Sequence, residues 1–81
     1  MTHKILIIDD EEKLRSLLVR IIKSEGFEVF EAKDLKSGFK KLEQTDIDVV
    51  LCDVKLPDGN GVDFLQNIKS SFPLTEVILL T

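Results

Sequence analysis

Four oxygen-bearing side chains stand directly after apolar runs. Asp9 and Asp10 follow Ile5–Ile8, Asp53 follows the largely apolar Ile47–Cys52, and Thr81 follows Val77–Leu80. Three carboxylates brought to close range would repel one another unless a cation shared them. An oxygen-only donor set of this kind suits Mg²⁺, which takes few protein carboxylates and fills its remaining positions with water and phosphate oxygens. A carboxylate beside such an ion can attack phosphorus, in a reaction that rests mainly on positioning and on neutralising the phosphoryl oxygens. Asp53 is the natural acceptor, because it precedes a loop, Val54 to Gly61, whose Pro57, Gly59 and Gly61 can shape a turn around it.

For these residues to meet, the runs that precede them must be neighbouring parallel strands. Ile5–Ile8 is continuously apolar, as a strand covered on both faces would be. Leu14, Leu17, Leu18, Ile21 and Ile22 then recur at helical spacing, with Glu11 and Glu12 at the start and Gly26 at the end, and the stripe reads first of all as core. Phe27–Ala32 alternates as a strand does, and Asp34 is placed to cap a helix carrying Leu35, Phe39 and Leu42 on one face. Ile47–Cys52 predicts a third, buried strand. A helix over about Val62–Ser71 is expected to bury Leu65 and Ile68, and Pro73 separates it from the last strand, Val77–Leu80. The order is βαβαβαβ, which calls for right-handed crossovers and an open parallel sheet. In such sheets ligands gather at the carboxyl ends of the strands, where the four polar residues stand.

The 81 residues, 43% apolar, suffice for one core and no second domain. The net charge of −4 arises from 15 acidic and 11 basic residues without a Lys/Arg cluster, which argues against nucleic acid as a direct partner. No apolar run nears the roughly 20 residues of a bilayer span, and the start lacks the zones of a signal peptide, so a cytoplasmic location is expected. The single cysteine, Cys52, reads as plain core, and His3 as an exposed residue. Taken alone, Asp9, Asp10, Glu11 and Glu12 would serve as a solvated acidic turn at a helix start; Asp53 and Thr81 at matching strand ends favour a joint site. Neither a GxGxxG nor a GxxxxGK loop follows any strand, against a nucleotide-binding enzyme.

With these residues in place the chain resembles a known family. A strand ending in Asp9-Asp10-Glu11, the segment Asp53-Val54-Lys55-Leu56-Pro57 with Gly61 four residues on, and a strand ending in Thr81 are together similar to a response-regulator receiver domain. The resemblance implies a flavodoxin-like doubly wound sheet of order 2-1-3-4. It also implies that a sensor histidine kinase phosphorylates Asp53, that Asp10 and Asp53 bind Mg²⁺ directly, and that Asp9 helps through water. The backbone carbonyl of Lys55 would be a further metal ligand, and Thr81 the hydroxyl that turns toward the phosphoryl group and reports it. A receiver is no separate enzyme, though it can catalyse its own phosphorylation and dephosphorylation to control an output domain. Leu56-Pro57-Asp58-Gly59-Asn60-Gly61 and the ending Val77–Thr81 look most like receivers joined to σ54-dependent activators of transcription. Haloacid-dehalogenase-like phosphatases also place an aspartate after a first strand, but they need an acid two residues on followed by a small hydroxyl residue, and here Asp9 is followed by Asp10, Glu11 and Glu12.

A full receiver adds a helix, a strand bearing a lysine and a last helix. Residues 1–81 are therefore expected to form a partial receiver domain, lacking the final helix-strand-helix. Two expectations follow from the resemblance. Without the lysine the chain would label poorly, and with an uncovered sheet face and edge it would self-associate. The alternative function is an interaction module independent of phosphorylation, or an inactive receiver fragment.

Overall fold

The computed structural model describes residues 2–80. Its elements are β1 (Lys4–Ile8), α1 (Glu12–Ser24), β2 (Glu28–Ala32), α2 (Leu35–Gln44), β3 (Val49–Asp53), β4 (Lys55–Leu56), β5 (Gly59–Asn60), α3 (Gly61–Ser71) and β6 (Glu76–Leu80). Four strands form one parallel sheet in the order β2-β1-β3-β6. Apart from the short β4-β5 hairpin, which breaks the loop after Asp53, this is the expected succession of strands, and β6 is the predicted fourth.

The register sets the site. Ile8 pairs with Ala32 on one side and Cys52 on the other, so Asp9 and Asp53 are the next residues of adjacent parallel strands. Asp53 in turn pairs with Leu80, and the Val54 N–H donates to the Leu80 carbonyl at 3.1 Å, extending that ladder. Both crossovers out of the first two strands are fixed by local chemistry. Gly26 closes α1 at φ +94°, in the left-handed region that side chains disfavour. Asp34 caps α2 as expected, accepting from the Ser37 N–H at 2.8 Å, and hydrogen bonding from Ser37 holds its carboxyl below its usual range.

Alternate residues divide the two faces of the sheet. Leu6 and Ile8 of β1, Ala32 of β2, and Val50 and Cys52 of β3 are buried with Leu42 of α2 and Phe64 and Ile68 of α3. This is the main core, with Phe30, Phe39, Phe72, Val77 and Leu79 packed around it. In α3 it is Phe64 rather than Leu65 that joins Ile68 in full burial; Leu65, expected inside, is half-buried.

Among the described residues α1 packs on the other face, over β1 and β2, and its own burial differs from the expectation. The α1 stripe was expected to be core, yet no α1 residue is fully buried, and Leu14, Leu17 and Ile21 are exposed. The physical reason is placement: α1 packs over β1 and β2, where it covers Ile5 and Ile7, and leaves the outer part of this face open. Accordingly β3 is half-buried at Val49 and Leu51 while fully buried at Val50 and Cys52, and Ile78 of β6 is exposed. Phe27 is likewise exposed.

Candidate functional site

Asp9, Asp10 and Asp53 come together at the carboxyl ends of β1 and β3, one carboxylate oxygen from each lying within 4.8 Å of the others. The three differ in setting. Asp9 is 3% exposed, Asp53 is half-buried and Asp10 faces solvent. The Asp9 carboxylate spends one oxygen on the Glu11 N–H at 2.8 Å, just before α1. Glu11, at the N-cap position of α1, makes no side-chain cap itself. Among the described residues no lysine, arginine or histidine forms an ion pair with these carboxylates. The chemistry of the set, all oxygen and all anionic, therefore fits a hard divalent cation.

The loop after Asp53 is folded tightly against it. The Lys55 N–H points to Asp53 Oδ1 at 3.3 Å, and the Gly61 N–H donates to the Val54 carbonyl at 2.7 Å. A Cβ at Gly61 would meet the Asp53 carbonyl oxygen at 2.6 Å, closer than real side chains approach, and Val54 Cα at a tight 3.1 Å. Gly61 thus does more than permit a turn, because its missing side chain is the space the Asp53 backbone occupies. Lys55, proposed as a carbonyl ligand, begins β4 opposite Asn60 and has an exposed side chain. Thr81 lies outside the described residues.

The model for the response regulator receiver domain matches residues 5–81 of the chain. The chain belongs to that family. Among relatives, this receiver is 39% identical over 79 residues to the transcriptional regulatory protein CpxR of Escherichia coli, covering 98% of this chain and 33% of CpxR. It spans about a third of the length of the curated relatives it matches. Among solved structures, the beryllofluoride-activated NtrC4 receiver domain dimer superposes with a TM-score of 0.88 at 38% identity, covering 94% of this chain and 63% of that one. The response regulator TrrA of Thermotoga maritima, solved with Mg²⁺ and BeF, gives 0.93 at 30% identity, with 99% and 70% covered. The flavodoxin-like parallel sheet expected from the sequence is the fold these neighbours share. Among the described residues no helix is long and apolar enough to cross a membrane.

Three further residues tie together the elements around the carboxylates. Asp58 and Asn60 were set down as loop residues. Asp58, however, accepts from the Leu35 N–H at 2.9 Å and the Lys36 N–H at 3.0 Å, so it caps α2 from across the fold. Asn60 caps α3 locally, accepting from the Val62 N–H at 2.7 Å, and the spacing ahead of an apolar helix could have revealed it. Arg15, one turn into α1, donates from Nη1 to the Asp9 backbone carbonyl at 2.7 Å. Cys52 is core as expected. Burial, and after it the charges of Asp53 and Asp9, push its thiol up to about 11.

Proposed function

We propose that this receiver takes a phosphoryl group onto Asp53 from the phosphohistidine of a sensor histidine kinase, as the input of a cytoplasmic two-component regulator of transcription. Residues 1–81 would belong to one receiver unit, partial with respect to the family, whose output domain lies elsewhere in the parent protein. The observation that carries the reading is the gathering of Asp9 and Asp10 around the Asp53 carboxylate within 4.8 Å.

In the transfer, an Asp53 carboxylate oxygen forms the new P–O bond. The P–N bond of phosphohistidine breaks, its electron pair stays on the imidazole nitrogen, and that nitrogen then takes a proton from solvent. Asp10 and Asp53 would hold Mg²⁺ directly, Asp9 through water, and the Lys55 carbonyl would add a ligand; TrrA, solved with Mg²⁺ and BeF, supports the choice of ion. When bound, Mg²⁺ supplies positive charge to the phosphoryl oxygens as they crowd three acids. The Asp9 carboxylate, fixed on the Glu11 N–H, orients without attacking, and the short loop to Gly61 holds Asp53 at the mouth of its strand. The Thr81 hydroxyl would turn toward the bound phosphoryl group. Self-catalysed phosphorylation from a small donor, and hydrolysis of the product, belong to the same proposal.

The second reading is an interaction module that needs no phosphorylation. It is favoured by the exposed α1 stripe of Leu14, Leu17 and Ile21 together with Ile78, which also supports self-association. Intact mass after incubation with Mg²⁺ and acetyl phosphate separates the readings. A weak phosphate adduct on the parent chain, absent from Asp53→Asn and short of what a full receiver takes up, is the expected result; no adduct on the parent chain overturns phosphoacceptance by these residues and favours the second reading or an inactive receiver fragment. Light scattering over a concentration series checks self-association, which a constant monomer mass would exclude.

A further inference from the structure

The guanidinium of Arg15 joins three elements. Nη1 donates to the Asp9 backbone carbonyl at 2.7 Å and Nε donates to Glu31 Oε1 at 2.9 Å, so α1 is tied both to the end of β1 and to β2. The Arg15 side chain is only 14% exposed, against 48% for Glu31. A guanidinium holds its donors in a rigid planar fork, so two simultaneous bonds fix its plane. The Asp9 N–H is itself bonded to the Ala32 carbonyl at 3.1 Å. Glu31 and Ala32 are successive residues of β2, so both anchors of the Asp9 backbone trace back to one edge strand. The carbonyl that Arg15 grips belongs to the peptide joining Asp9 to Asp10, and its orientation therefore sets where Asp10 stands relative to Asp53.

We propose that Arg15 is a positioning residue for the Asp9–Asp10 half of the metal-binding cluster, with Glu31 as the strut that fixes the guanidinium. The inference rests on reading that cluster as the Mg²⁺ site. Two effects oppose each other here. A cation near the site would weaken Mg²⁺ binding through repulsion, whereas fixing the ligand backbone strengthens it. The Arg15 charge is already engaged by a carboxylate, which leaves orientation as the larger effect. Groups that orient a metal ligand from behind typically change affinity by about 10- to 100-fold. The sign is thus diagnostic: removing Arg15 should weaken Mg²⁺ binding even though it removes a positive charge.

Calorimetric titration of Mg²⁺ into the metal-free chain tests this, with urea unfolding in chelator to show that each variant is folded. Arg15→Ala is expected to bind Mg²⁺ roughly tenfold more weakly, and Arg15→Lys, which keeps the charge without the fork, to recover only part of the loss. Glu31→Gln and Glu31→Ala remove the same charge, but Gln keeps an acceptor for Nε and should bind Mg²⁺ several-fold more tightly than Ala. A folded Arg15→Ala with unchanged or tighter affinity overturns the proposal. If Arg15→Ala does not fold, the Glu31 pair decides: Gln tighter than Ala supports positioning, and equal values for the two overturn it. Absence of Mg²⁺ binding by the parent chain would instead remove the metal reading of the cluster, and the role of Arg15 with it.

Discussion

Gly61 shows how little room surrounds Asp53. The two atoms nearest a Cβ there are backbone atoms of Asp53 and Val54, which no side-chain rotation can move aside. Gly61→Ala should therefore cost about 1–3 kcal/mol, the usual range for overfilling a packed site, and should shift Asp53 as the 2.7 Å bond from Gly61 to Val54 gives way. The urea midpoint and Mg²⁺ affinity check this together; parent-like values for both would mean that the loop yields freely. One residue before Asp53, the Cys52 thiol, raised to about 11 chiefly by burial, should resist a thiol reagent at pH 8 until urea unfolds the chain. The sign of its pH effect follows from the same shift. With a folded value above the unfolded one, its contribution is present below the unfolded pKa and is lost as pH rises toward 11, so stability should decline through that alkaline interval, and Cys52→Ala should flatten the decline.

Among the elements, α2 is the one held by a distant residue. Its first two N–H groups go to Asp58 and the Ser37 N–H goes to Asp34, so the hairpin that follows β3 also anchors a helix on the main-core face. Asp58→Ala should cost roughly 1 kcal/mol, as loss of a helix cap does, and should speed hydrogen exchange at the Leu35 and Lys36 amides while leaving those of α1 unchanged. Exchange unaltered at α2 would show that Asp34 suffices. Asp34 itself, with its carboxyl lowered by Ser37, contributes stability that is present above the unfolded carboxylate pKa and is lost as pH falls through the folded value, so α2 should fray first in acid. Helices and strands with a local signal were legible in the sequence: the Asp34 cap, the Gly26 terminus, and four strands spaced for crossovers. Asp58 was not, because a bond spanning more than twenty residues leaves no mark in a local pattern. The β4-β5 hairpin was equally hidden, since two-residue strands have no period to read.

On the scale of the whole molecule, the topology explains both what could be read and what could not. Apolar runs that end in acids located Asp9, Asp10 and Asp53, because a parallel sheet brings its carboxyl ends to one edge whatever the side chains elsewhere. The α1 stripe misled, since helical spacing says which side of a helix is apolar and not how much of the sheet it will cover; here α1 packs mainly over β1 and β2. The same gathering of acids makes stability depend on metal. In chelator the three carboxylates within 4.8 Å repel, at a cost per pair of about 1 kcal/mol where water screens them fully and about 3 kcal/mol at the dielectric near a protein surface. Asp10→Asn should therefore raise the thermal midpoint of the metal-free chain. Mg²⁺ should reverse the ranking: the parent chain gains about 2.7 kcal/mol at a concentration 100 times Kd, while the variant, short of one charged ligand, gains far less. Melting curves of both chains with chelator and with Mg²⁺ decide the matter. Crossing midpoints mean that the acids are held together at the expense of the metal-free fold, and parallel shifts in the two chains would mean that Mg²⁺ acts somewhere other than this cluster.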